Sequence, residues 1–186
     1  VNFDESVTVS TTGGTSQIAI TIGSTVRQAV YQSGSGTSAL LFRYTVQTEE
    51  LDTDGIAVGT LAANGGTLKD AAGNDADLTL NSVGATTAVL VDALTTATLT
   101  TADAGSVDST TVTLGGETTA DGGASITERG IVYAITGTNN NPTIGGTGVT
   151  KEDNGSGIGV FSEPITGLTA NTQYSYAAYA INSKGT

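Results

Sequence analysis

Residues 51–78, LDTDGIAVGTLAANGGTLKDAAGNDADL, gather five aspartates and two asparagines between short apolar runs. Asp52 and Asp54 bracket one residue ahead of Gly55, and Asp70, Asn74, Asp75 and Asp77 follow the apolar run that ends at Leu68. Residues of these types beside glycine belong to loops, not to strand interiors. Carboxylates held side by side repel one another unless a cation lies between them. Calcium, which takes several oxygens at roughly 2.3–2.6 Å in a flexible shell, is the ion this chemistry suits. The same residues also build plain turns, because Asp and Asn side chains bond nearby backbone amides. Both readings stand at this stage. Glu5, beside Asp4 in the phrase VNFDESVTVS, is a further oxygen donor that such a loop can reach.

Other chemistry is largely excluded by what the chain lacks. It has no Cys, His, Met or Trp. A Ser-His-Asp triad, a thiolate nucleophile and the usual zinc ligands are therefore missing. Paired carboxylates remain for a glycosidase, but the raised pKa that an acid catalyst needs requires burial in a cleft, so no enzyme is expected. The formal charge is −12, with nine acidic and three basic residues on either side of Val91. Six dispersed Lys and Arg make no basic stripe, which argues against a nucleic-acid partner. No apolar run approaches the ~20 residues of a membrane span, and no insertion is expected.

The elements that must position these acids read as strands throughout. Among 186 residues there are 26 Gly and only 2 Pro, and apolar residues alternate with Thr and Ser in short runs. That pattern fits half-buried strands and leaves no helical stripe. Strands are expected at residues 1–10, 17–22, 26–32, 40–46, 56–61, 66–69, 78–80 and 88–91. Gly23-Ser24 turns a hairpin, and Leu40, Phe42, Tyr44 and Val46 share one face. Further strands are expected at 97–101, 110–114, 131–135, 157–165 and 172–181, with 138–148 as a polar loop. About seven strands in ~90 residues describe a β-sandwich. The expectation is all-β, two tandem sandwiches, residues 1–91 and 92–186, with Asp92 at the linker.

The phrases FDESVTV (3–9), YQSGSGTSALLFRYTVQ (31–47), LDTDGIAV (51–58) and GGTLKDAAGND (65–75) resemble the Ig-like, cadherin-like repeats of very long bacterial surface proteins. These include the SwmB-type repeat and the extender domains of calcium-dependent adhesins. The resemblance implies a secreted or cell-surface, non-catalytic spacer, stacked in tandem and stiffened by Ca2+. It implies Asp52, Asp54, Asp70 and Asp75 as ligands, supported by Glu5, Asn74 and Asp77. In the second half, GLTANTQY (167–174) followed by YSYAAYAINSKG resembles the corner and strand of a fibronectin type III domain. That likeness implies that Tyr174 returns its hydroxyl to backbone a few residues upstream. The usual proline of this turn is Ala170 here, and the core tryptophan is missing. The partners implied are neighbouring repeats of the same chain, with the chain itself a monomer. The alternative is a module that binds a surface glycan or host protein, for which Tyr31 and Tyr179 are the candidate stacking surfaces.

Overall fold

The computed structural model describes residues 1–186 and is all-β, built from antiparallel sheets with no helix. Two compact units, Val1–Ala93 and Leu94–Thr186, divide it.

The first unit runs β1 (Asn2–Ser10), β2 (Gln17–Ile22), β3 (Thr25–Ser33), β4 (Thr37–Ala39), β5 (Leu41–Arg43), β6 (Leu51–Asp52), β7 (Ala57–Ala62), β8 (Thr67–Lys69) and β9 (Val91–Asp92). Its sheets have the orders β4-β1-β8, β5-β3-β2-β7 and β6-β9. The β2–β3 hairpin forms where the alternating isoleucines predict it, in register from Gln17↔Val30 to Ile22↔Thr25. Gly23 turns it with φ 56°, and a Cβ there would stand 2.5 Å from the Leu51 carbonyl, so only glycine fits. Val7, Leu40 and Leu68 make one buried cluster; Ile18, Ala29 and Leu61 make another. Phe3, Phe42 and Leu78 pack against both and join them.

Three expectations change here. The strand expected at 40–46 shortens to β5, because the chain passes at Leu40 from β4, which ends at Ala39 and pairs with β1, to β5, which pairs with β3, and buries Leu40 at the crossing. An unbroken alternation therefore conceals a change of sheet. The strands expected at 78–80 and 88–91 reduce to β9, and Val83, Val89 and Leu90 are exposed. Local side-chain bonds hold part of that segment instead, Asp77 Oδ1 accepting the Thr79 amide at 2.9 Å. Finally, Asp92 pairs with Leu51, and the Ala93 amide donates to the Glu50 carbonyl, so the first unit extends two residues beyond 91.

The second unit contains β10 (Thr98–Thr101), β11 (Val112–Ala120), β12 (Glu128–Ile135), β13 (Thr150–Asp153), β14 (Gly159–Ile165) and β15 (Tyr174–Ile181). Two three-stranded sheets, β10-β11-β14 and β13-β12-β15, enclose Leu114, Ile131, Phe161 and Ile165. Ile131 is fully buried, which is worth roughly 1.5–3 kcal/mol of transfer free energy for a side chain of this size. The sheets approach closely at Gly116, where a Cβ would lie 2.7 Å from Ala178 Cβ. β13 was not expected, because its sequence TKED carries no apolar alternation. The polar loop at 138–148 lies between β12 and β13 as the sequence indicates.

Candidate acidic site of the first unit

Asp52 sits in β6, and its carboxylate is a backbone clamp. Only 4% exposed, it accepts the Gly23 amide at 2.7 Å through Oδ2. Through Oδ1 it accepts the amides of Gly55 at 2.7 Å and Asp54 at 3.3 Å. The turn between β2 and β3 is thereby tied to the turn that follows β6. The Gly23 amide is the main reason its carboxyl lies below the usual aspartate range; burial opposes the shift, and the Gly55 and Asp54 amides add to it. Asp54 itself is exposed.

The second group organises a different loop. Asp70 accepts the Asn74 amide at 2.8 Å and the Asn74 side-chain amide at 2.7 Å, and these two bonds, the side-chain one foremost, lower its pKa. Asp75 meets Lys69 Nζ at 2.6 Å, but its side chain is 79% exposed. Ion pairs in such positions contribute about 0–1 kcal/mol. The Thr79 amide lowers the pKa of Asp77. Glu5 is exposed on β1.

Asp4, Glu5, Asp70, Asp75 and Asp77 border one cleft of about 840 Å³ with Phe3, Val7 and Leu61 on its apolar side. Asp52 and Asp54 do not line it. The seven predicted ligands thus fall into two places, with Asn74 serving Asp70 as a donor. No three acidic side chains lie close enough together to hold a metal ion. Calcium needs roughly six to eight oxygens. The residues as placed do not fit a resident calcium shell.

Sequence reasoning passed over a second buried acid of this unit. Glu50 is 6% exposed; its Oε1 accepts from Arg27 Nε and from the Tyr44 hydroxyl, each at 2.6 Å, and its Oε2 accepts the Gln47 amide at 2.8 Å. Burial pushes its pKa up, yet the Tyr44, Gln47 and Arg27 donors together bring it below the ordinary glutamate value. The adjoining acid pair Glu49-Glu50 was the only signal in the sequence, and it gives no partner.

In the second unit, Tyr179 is 3% exposed and donates to Glu128 Oε1, which also binds Lys151 Nζ. Burial, then Glu128, raise the Tyr179 hydroxyl far above its ordinary pKa. Its face is covered by Lys151, so it offers no stacking surface to a sugar. Tyr31 is half-buried, stands edge-on to Phe42 and accepts the Ser35 amide at 2.8 Å. Tyr174 accepts the Thr169 amide at 3.1 Å, the upstream backbone contact expected of it. Asn182, 4% exposed, donates to the carbonyls of Thr95 and Asp121 at 2.8 and 2.7 Å.

No protein family, curated protein or solved structure matches this chain.

Proposed function

We propose that residues 1–186 form a non-catalytic spacer segment of a large extracellular surface protein, of the adhesin-repeat kind. The observation that carries this reading is the Asp52 clamp. The chain's leading candidate for ligand chemistry is buried and bonded to three backbone amides, so it fixes the geometry of turns instead of presenting oxygen to a substrate. Glu50, Asp70 and Asp77 likewise bond backbone amides. Those three bonds fix local turns, whereas the bond from Gly23 to Asp52 ties segments 29 residues apart and resists their shear, as a spacer requires.

Calcium enters as a counter-ion to the acidic cleft and not as a resident ligand. Five carboxylates border it, with Lys69 the one cation paired to any of them. A cleft lined by one sign of charge concentrates counter-ions. Pulling the chain between its ends in a single-molecule experiment tests the spacer reading. Two discrete unfolding steps are expected, the first unit's falling to much lower force in Asp52→Ala. A chain that extends smoothly, without discrete steps, would sink it.

A further inference from the structure

Three of the chain's six tyrosines meet on one face of the β13-β12-β15 sheet. The register sets Tyr133 directly opposite Tyr176 and Ile135 opposite Tyr174, so Tyr174 lies diagonally across from Tyr133. Residues opposed in this way project to the same side of a sheet, and Tyr133 and Tyr176 pack against the core cluster of the second unit. The rings of Tyr133 and Tyr174 have centroids 6.3 Å apart at an interplanar angle of 57°. Rings at that tilt meet edge to face, not in a stack, and leave ring faces uncovered.

The hydroxyls of these tyrosines are engaged elsewhere. That of Tyr174 accepts the Thr169 amide at 3.1 Å, that of Tyr176 donates to the Ala102 carbonyl at 3.1 Å, and that of Tyr133 lies 3.5 Å from Glu152 Oε1. The rings are thereby held in place, and what they present beyond those bonds is aromatic surface. All three tyrosines line a cavity of about 340 Å³, for which Val112, Leu114 and Ile165 of the facing sheet supply apolar wall. Asp108 also borders it, and no Lys or Arg does. Asp108 Oδ1 accepts the Ser109 amide at 2.6 Å, but no ion pair of the chain includes this carboxylate.

Electron-rich ring faces beside an unpaired carboxylate attract a cation, and they act on it within about 6 Å of a ring centroid. A cation that brings no N–H suits tyrosines whose hydroxyls are already bonded. A quaternary ammonium spreads its charge over methyl groups, which touch aliphatic wall as well as aromatic. An apolar cavity of roughly 150 Å³ holds a benzene ring, so this one admits a trimethylammonium head with a short stem.

We propose that this cavity binds a small quaternary ammonium solute of the choline type, its methyl groups against Tyr133, Tyr174 and Tyr176 and its charge facing Asp108. A free solute is favoured over a phosphocholine head group, because a chain charge of −12 repels the phosphate. The site lies in the second unit and is independent of the Asp52 clamp on which the spacer reading rests.

The probe is choline chloride, titrated into the whole chain, with binding read by saturation-transfer NMR on its methyl protons and by calorimetry. A dissociation constant on the order of 1 mM is expected. The neutral carbon isostere, in which a tert-butyl group replaces trimethylammonium, is expected to bind about tenfold more weakly. Asp108→Asn, which keeps an acceptor for the Ser109 amide, and Tyr133→Leu are each expected to weaken choline about fivefold. Tyr133→Phe keeps the ring and binds as the native chain does. Should Tyr133→Leu lower the melting transition of the second unit, Asp108→Asn and the isostere still decide. No choline binding, equal affinity for the isostere, or tighter binding of glucose or of phosphorylcholine overturns the proposal.

Discussion

The two units solve the same problem with opposite chemistry. Each has buried backbone groups outside its ladders that need partners. The first unit supplies acceptors: Asp52 takes the amides of Gly23, Asp54 and Gly55, and Glu50 takes that of Gln47. The second supplies donors: Asn182 gives its side-chain amide to the carbonyls of Thr95 and Asp121, and Arg129 gives Nη1 to those of Gly157 and Gly159. An anionic clamp titrates and a neutral amide does not. The first unit's stability is therefore tied to acid pH in a way that the second unit's clamp is not.

The largest break in this comparison is Asp52→Ala. Three amides lose their acceptor at a site that water scarcely reaches, and orphaned buried donors are costly. The first unit's melting temperature is expected to fall by about 10 °C, a large shift for a domain of this size. The second unit's transition stays where it was. Calorimetry on the whole chain reads both, and an equal fall in both transitions would undo the assignment of the clamp to one unit.

Asn182→Ala is the counterpart in the second unit. It deprives two carbonyls of a donor and the Lys184 amide of an acceptor. A carbonyl tolerates a missing partner better than an amide does. The expected loss is about 2 kcal/mol, confined to the second transition in a denaturant titration. A loss below ~0.5 kcal/mol would place the hold on this corner elsewhere.

Which of these features can be read in a sequence depends on how far apart the partners lie. The Tyr174 contact is legible because Thr169 is five residues away, inside one corner. The Asp70 loop is likewise local, closing on Asn74. Asp52 stands out by type, but its partner Gly23 is 29 residues upstream, so the role open to it looked like metal ligation. Glu50 meets Arg27 across 23 residues, and the adjoining acids Glu49-Glu50 name no such partner. Strand existence was legible wherever apolar residues alternate, as in β2, β3 and β15. It failed at β13, whose polar Lys151 lies over the Tyr179 ring, a cross-strand contact that no spacing within TKED reveals. It failed also beyond Leu78, where apolar residues are present but no strand beside them takes up their backbone.

The difference between the units should also appear along the pH axis. Asp52, Asp70, Asp77 and Glu50 have folded pKa values below their ordinary ones. A depressed carboxyl adds stability that is present above its unfolded value, near 3.8 for Asp and 4.5 for Glu, and that is lost as pH falls through the folded value. The second unit has one such group, Glu128. Its tyrosines run the other way: Tyr133 and Tyr179 are raised above 10.0, against Tyr44 alone in the first unit. A raised group gives stability that is whole below its unfolded value and lost as pH climbs past it. Acid, between about pH 4 and pH 2, is expected to lower the first transition more, and alkali above about pH 10 the second. Melts across pH that move both transitions in parallel would break the comparison.

The smallest effect sharpens the place of divalent ions. Around the acidic cleft, Asp4, Glu5, Asp70, Asp75 and Asp77 repel, and only Asp75 has a paired cation. Their exposure admits water and salt, so the repulsion is already screened over roughly 8 Å at physiological ionic strength. A counter-ion that relieves what remains raises the first unit's melting temperature by no more than about 2 °C, and it does so by charge. Magnesium should then act as well as calcium at equal ionic strength, and Asp52→Ala should leave the increment intact because Asp52 lies outside the cleft. A resident calcium shell predicts the reverse, since magnesium demands a tighter octahedron and keeps its waters. A calcium rise several times the magnesium one, abolished with Asp52, would return the ion to the turn that the Gly23 amide now satisfies.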